Sequence, residues 1–312
     1  MSTSPRRELT PAIFRWFALA AFVSMILIIL TGAAVRLTGS GLGCPDWPTC
    51  FKHGYATNWT IHSKIEFANR LVTVSLVVVT AVVFLVSFAR RPRRRDLSVL
   101  AGLLIVGVVL DAILGAYVVY SKLNPWLVSL HLLLSLAMVV TSAILYHRSK
   151  YVYGTGARCD VRDPHFRTVA RLLWIPFVVL LVTGTMTTGS GPHAGGSQGQ
   201  LEARRLPFAF SSAAWVHSIA ATLFVGLVVG LLVTIWRTSA PAPLQLGVRR
   251  LVVISLVQAA IGATQYLTHV PAFLVELHIA GATSLTIGVT QFHLRQSAHD
   301  REPSIPRKQP AA

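Results

Sequence analysis

Little of this sequence is charged, and less still is acidic. Of 312 residues, 12% are Asp, Glu, Lys or Arg, with 11 acids against 28 Lys and Arg. At 53% hydrophobic residues and a mean hydropathy of +0.60, too few polar side chains remain to clothe a water-soluble globule. The chain reads as an all-α polytopic membrane protein. Its spans also lack paired Gly/Pro interruptions at mid-membrane, which speaks against a transporter built on broken helices; Pro176 stands alone as a kink candidate in the fifth span. No small-residue cleavage site follows the first apolar run, so that run is expected to be a retained span and not a removed signal peptide.

Eight apolar stretches have spanning length: 14–36, 62–88, 98–120, 127–147, 169–188, 212–236, 250–268 and 273–293. The shortage of acids leaves a net charge of +17, and the basic residues behind it are one-sided. Arg6, Arg7, the run Arg90 to Arg95, the stretch Arg148 to Arg167, Arg237, Arg249, Arg250 and the stretch Arg295 to Lys308 lie on the side that holds both termini, whereas the opposite loops contain Lys52, Lys64, Lys122, Arg204 and Arg205. Basic residues in short loops resist translocation, so the crowded side is cytoplasmic. The charge is a topology signal and a lipid-facing collar, and nucleic-acid binding is the wrong inference from it.

An internal repeat organises the chain. Asp111-Ala-Ile-Leu-Gly115 matches Gln258-Ala-Ala-Ile-Gly262, and Pro125 with His131 matches Pro271 with His278, at an offset of about 147 residues. Thr38-Gly-Ser-Gly41 similarly pairs with Thr188-Gly-Ser-Gly191. The expected architecture is two parallel-repeat four-helix bundles: residues 1–150, a cytoplasmic linker 151–168, residues 169–295, and a disordered tail 296–312.

Even-numbered spans begin on the outer side, which puts His62, Glu66, His131, His217, Glu276 and His278 at similar depth, within about two turns of that surface. By contrast, His147, His165, His293 and His299 fall at the cytoplasmic edge, and His53 and His269 in outer loops. An imidazole inside an apolar span is costly, and an interhelical hydrogen bond is the plain account of a single one. Recurrence at matched depth favours a bound group. His217 and His278, on facing helices, suit bis-histidine haem ligation, which saturates iron for electron transfer. In the first half His131 is the matching ligand, but Asn69 stands where His217 would be. Either His62 substitutes from higher up, or the first-half iron keeps a weak or open position, as a substrate haem would require.

Glu66 is the candidate for chemistry, since a carboxylate on a buried membrane face marks function by default; pairing with Arg70 at i+4 is its structural alternative. Asp111, without an acid in the repeat, reads as an interhelical hydrogen-bond residue. Arg36 and Arg70 are candidates for haem propionates. Cys44 and Cys50 bracket a short outer loop in an oxidising compartment, where a disulfide serves either as a labile redox device or as a staple. Cys159 has no partner by position, and the loop Gly189 to Gln200 reads as flexible.

Taken together, Gly32-Ala-Ala-Val-Arg36-Leu-Thr-Gly-Ser-Gly41-Leu-Gly-Cys44-Pro-Asp-Trp-Pro-Thr-Cys50, Glu66-Phe-Ala-Asn69-Arg70 and the histidines 131, 217 and 278 resemble the haem A synthase family. The resemblance implies a bacterial cytoplasmic-membrane oxidoreductase that oxidises the C8 methyl group of haem O to the formyl group of haem A, for terminal cytochrome oxidase. It implies haem b on His217 and His278, haem O in the first half, an essential Glu66, and redox involvement of Cys44 and Cys50. Water supplies the oxygen, and a quinone or other acceptor takes the electrons. An association with haem O synthase is plausible because haem O is confined to the membrane, and homo-oligomerisation stays open. Two features depart from the family pattern: Asn69 replaces a histidine, and the third outer loop lacks a cysteine pair. Both resemble an actinobacterial style. The competing readings are a diheme membrane electron-transfer cytochrome, which predicts saturated ligation in both halves, and a haem-handling protein without redox chemistry.

Overall fold

The computed structural model describes residues 9–51, 59–153, 164–196, 203–238 and 240–297, and for residues 164–167, 296 and 297 the backbone alone. The expectations for Arg6, Arg7, Lys52, His53, Cys159, His299, the side chain of His165, residues 197–200 and the tail beyond residue 297 lie outside the described residues. Helices carry the regular structure: α1 (Pro11–Leu37), α2 (Ile61–Ala89), α3 (Arg95–Tyr120), α4 (Pro125–Ser149), α5 (Pro164–Leu172), α6 (Trp174–Ser190), α7 (Phe210–Arg237), α8 (Ala242–Leu267) and α9 (Ala272–Ser297). Among the described residues, eight segments are long and apolar enough to cross a membrane, the fifth running Thr168–Ser190 through the junction of α5 and α6.

The helix ends follow local chemistry. Thr10 and Thr60 cap α1 and α2 through their hydroxyls, and Asn124 caps α4 through its carbonyl oxygen, with Pro11 and Pro125 in the opening turns. The fifth span breaks after Leu172, four residues before Pro176. Proline has no N–H to give the Leu172 carbonyl, and its ring crowds that turn. α8 starts at Ala242, eight residues ahead of the expected 250, because Pro241 sets the entry and the helix then runs through Arg249 and Arg250.

Neighbouring helices pack in sequence within each half, and α1 closes on α4. Short α5 touches α6, α7 and α9 in the second half. Between halves, α4 packs on α9, α1 on α9 and α6 on α4, so the first and fourth helices of each half trade partners. Two apolar cores result. One gathers Phe14, Ala18, Met25, Leu97, Leu104 and Val139; the other gathers Phe177, Phe224, Val228, Leu251, Val289 and Phe292. Both occupy the half of the bundle that holds the start of α1 and the end of α9. Outward-facing Trp16, Leu71, Leu103, Trp215 and Leu223 stay exposed, as lipid-facing side chains do. Arg90, fully buried at 0% exposure, donates to the carbonyls of Pro92, Tyr151 and Val152, tying the α2–α3 turn to the end of α4.

The opposite half is filled differently. None of residues 256–267 of α8 is buried, and His131, His217 and His278 are only partly covered although each faces a neighbouring helix. Two short turns there share one device. Lys122 and Leu123 take φ of 56° and 60°, and His269 and Val270 both take 62°, so matched turns of the repeat each hold two consecutive left-handed residues. For a β-branched valine that conformation is strained by roughly 1–3 kcal/mol and persists only where surrounding contacts enforce it.

Candidate functional site

The six expected site residues at outer depth do lie within the first two turns of α2, α4, α7 and α9. They fall into two groups. In the first half, Glu66 is 4% exposed and held at both oxygens: Oε2 accepts the Cys44 N–H at 2.7 Å, and Oε1 accepts Arg70 Nη2 at 2.6 Å. Arg70 in turn donates to the carbonyls of Asp46, Thr49 and Pro48, so its guanidinium is engaged by the loop that Cys44 and Cys50 close. Those cysteines are disulfide-bonded. The loop sits directly on the start of α2. Ser63 Oγ donates to the Gly43 carbonyl at 2.8 Å, and a Cβ at Gly43 would come within 2.5 Å of the His62 carbonyl oxygen, so only glycine permits the approach. His62 Nδ1 lies 3.0 Å from Ser40 Oγ.

Deeper in this half, Thr31 Oγ1 donates to Asn69 Oδ1 at 2.7 Å. His131 Nδ1 lies 2.8 Å from Asp111 Oδ1 in a geometry too bent for a hydrogen bond, while Asp111 Oδ2 accepts from Ser135. Asp111 is thus an interhelical link, as its position suggested, and also the neighbour of a candidate ligand.

The second half repeats the plan with different chemistry. His217 Nδ1 bonds Thr183 Oγ1 at 3.1 Å, in the role Asn69 and Thr31 share across α1 and α2. Gln258, matching Asp111, donates to the His278 carbonyl at 2.6 Å. Glu276 Oε2 and His278 Nδ1 are buried without a hydrogen-bond partner among the described residues. The rings of His217 and His278 face each other with centroids 6.2 Å apart and planes at 79°. Two imidazoles on one metal, each at a metal–nitrogen distance of about 2.0–2.1 Å plus a ring radius of roughly 1.1 Å, would place their centroids about 6.3 Å apart. The observed centroid separation is the spacing that two such ligands would take.

Glycine makes room for all three histidines, a signal sequence reading passed over. A Cβ at Gly184 would stand 3.1 Å from His217 Cε1, at Gly262 3.1 Å from His278 Cε1, and at Gly115 3.4 Å from His131 Cε1. The Gly115/His131 and Gly262/His278 spacings are identical, so the signal could have been found by asking which glycines recur with the histidines.

The two halves meet at the end of the bundle nearest these histidines, through the segment around His193. Arg36 donates to the carbonyls of His193 and Thr188, both at 2.8 Å, and His193 Nε2 lies 2.7 Å from the Val270 carbonyl. Gly41 N–H donates to Gly195 O at 2.9 Å, with Leu123 packed beneath both glycines. Residues 189–196, expected to belong to a flexible loop, are tied at each of these points, and the two strained turns contribute Leu123 and Val270 to the junction. Arg36 is engaged here by backbone carbonyls.

Comparison with known proteins supplies the family. The profile of a cytochrome oxidase assembly protein family matches residues 15–60 and 57–289. A protein named "Heme A synthase" from Lysinibacillus sphaericus (strain C3-41) is 33% identical over 137 residues, which cover 42% of this chain and 45% of that one. Another of that name, from Bacillus cereus (strain AH187), is 28% identical over 132 residues, covering 42% of each. The matched stretches thus span under half the length of these relatives. With the family profile running through all eight membrane spans, the chain belongs to the cytochrome oxidase assembly protein family.

Proposed function

We propose that this protein is a haem A synthase, an integral membrane oxidoreductase that converts the C8 methyl group of haem O to a formyl group. The observation that carries the reading is the asymmetry of the two halves: an opposed histidine pair in one, and in the other a single matched histidine with a caged carboxylate under a disulfide loop. Relatives named for the activity support it.

His217 and His278 would hold haem b, which supplies one-electron transfer when bound by two neutral imidazoles. Thr183 orients His217, and Gly184 and Gly262 leave the clearance both rings need. His131 would hold the substrate iron with the Asp111 carboxylate beside its other nitrogen, where a negative charge raises ligand basicity. His62 is the candidate second ligand, and Arg36 and Arg70 remain the candidate propionate partners.

In the reaction, the methyl group gives up two electrons and one proton and takes a hydroxyl from water, whose remaining proton also leaves. The hydroxymethyl group repeats the step to a geminal diol, which loses water to leave the aldehyde. Overall one water oxygen enters, and four electrons and four protons leave. Glu66 keeps free lone pairs on both oxygens beyond those used by Cys44 and Arg70, so it can accept a proton from attacking water or stabilise positive charge at the reacting carbon. The electrons pass to an acceptor such as a quinone, and association with haem O synthase would deliver a substrate that does not leave the membrane.

The test is expression in a host that makes haem O and lacks its own haem A pathway, followed by extraction and mass analysis of haems. Haem A should accumulate with the unaltered protein and vanish with Glu66→Gln. Haem b alone, in folded protein supplied with haem O, would point to a diheme electron carrier instead.

A further inference from the structure

Arg148 and Arg295 stand at matching places near the ends of α4 and α9, separated by the repeat offset. Their surroundings differ. Arg148 Nη1 lies 3.5 Å from Asp96 Oδ2, a carboxylate that Arg94 also holds at 2.7 Å. The residue matching Asp96 is Pro243, whose carbonyl accepts Arg295 Nη1 at 2.7 Å. Among the described residues no carboxylate meets Arg295 or Arg250. Lys150, at the end of α4, is held below its ordinary pKa by burial and by the nearby charges of Arg15 and Arg295. Cations from α1, α4 and α9 therefore converge, with no acid offsetting them at Lys150 among the described residues, and an anion would relieve their repulsion.

Between α8 and α9 lies a cavity of about 100 Å³ that begins at these arginines. Gly247, Arg250 and Ile254 line it from α8, and Ser284, Gly288, Gln291 and Arg295 from α9. Spacings of three and four put each set on one helix face, so the groove follows the helix axes. Gly247 and Gly288 form its floor: a Cβ on the first would come within 3.3 Å of Phe292, and on the second within 3.0 Å of Leu251. From Ser284 to Arg295 the helix rises about 16 Å. That is close to half of a hydrocarbon layer about 30 Å thick, the depth of a single leaflet. The groove is cationic at headgroup level and lined by isoleucine and glycine toward mid-membrane.

We infer that the α8–α9 groove binds one anionic phospholipid of the cytoplasmic leaflet, its phosphodiester received by Arg250 and Arg295 and an acyl chain lying along Ile254 and Gly288. The chemistry of both ends is matched: basic pockets between spans at the cytoplasmic face suit acidic headgroups, and arginine forks suit phosphate oxygens. A soluble phosphate would satisfy only the arginine end. α9 also carries His278, so an occupied groove steadies the helix that presents the candidate ligand.

The full chain in non-ionic detergent is titrated with dioleoyl phosphatidylglycerol or dioleoyl phosphatidylcholine, and retained lipid is counted by native mass spectrometry. One phosphatidylglycerol should be retained at a concentration roughly thirtyfold lower than phosphatidylcholine, given about 1 kcal/mol for each of the two arginines at the surface. R250Q/R295Q should abolish the preference, as should I254W, which blocks the groove and leaves both charges. R249Q, on the neighbouring face, should keep it. If the double variant fails to fold, R250Q alone serves, because Arg250 is exposed and its side chain has no hydrogen bond among the described residues to lose. Preference surviving in R250Q/R295Q and I254W overturns the site. Equal loss in R249Q means a diffuse basic collar, and full displacement by soluble glycerol phosphate means a phosphate site without a lipid; either result also overturns it.

Discussion

Glu66 accepts a hydrogen bond from the backbone N–H of Cys44, 2.7 Å away, so the buried carboxylate on α2 and the disulfide loop above it are one unit. Arg70 completes the unit by bonding Glu66 on one side and the loop carbonyls on the other.

Cys44→Ser with Cys50→Ser opens a ring with a sequence separation of 6. A loop that short contributes about 2–2.5 kcal/mol through the unfolded chain. The double variant should melt several degrees lower in detergent, and its haem A yield should fall because Glu66 loses a fixed donor. Unchanged melting and yield would show that the loop holds its place without the bond.

Glu66→Gln keeps an acceptor for Cys44 but removes the charge facing Arg70. Haem A formation should drop at least a hundredfold, the lower range for a lost proton acceptor, with second-half haem b retained. Haem extraction reads both quantities from one sample, and near-normal haem A would remove Glu66 from the chemistry.

His217→Ala and His278→Ala should each deplete haem b, measured as its pyridine haemochrome in purified protein. Gly262→Val probes the same place without touching a ligand. Its added carbons meet His278 Cε1 at 3.1 Å or closer, so haem b content should fall partway and the low-spin spectrum should shift. Full haem content in all three would refute the pairing.

Asp111→Asn retains the shape beside His131 and removes the charge. Haem A yield should fall roughly tenfold or more, within the range for a lost partner of a metal-bound histidine, while haem b stays unchanged. A parallel loss of haem b would mark Asp111 as a packing residue instead.

His193→Ala deletes the link from the outer loop to the Val270 carbonyl while keeping the Arg36 contacts, which use backbone oxygen. A single partly buried hydrogen bond of this kind is worth about 1 kcal/mol. The melting temperature should fall by a few degrees; no change would leave the junction to Arg36 and Gly41.

The sequence by itself determined the eight spans, because each is an apolar run of membrane length whose boundaries are set by nearby polar, Pro or Thr residues. It also determined the shared depth of the histidines and Glu66, because in an α-helix depth follows directly from residue count. Pro176 was visible as an interruption, although that the helix would part four residues earlier follows from where its ring strikes the preceding turn. The early start of α8 was hidden, since Arg249 and Arg250 look like loop residues until the helix is seen to carry them at the membrane edge. Only the tertiary structure decided what each polar group meets: that Arg70 and Arg36 reach loop carbonyls, that Cys44 donates to Glu66, that His193 ties the halves together, and that glycines clear the space for His131, His217 and His278. Those relations join residues tens to more than a hundred positions apart, and a hydrogen bond depends on distance and angle in space, which periodicity along one chain does not contain.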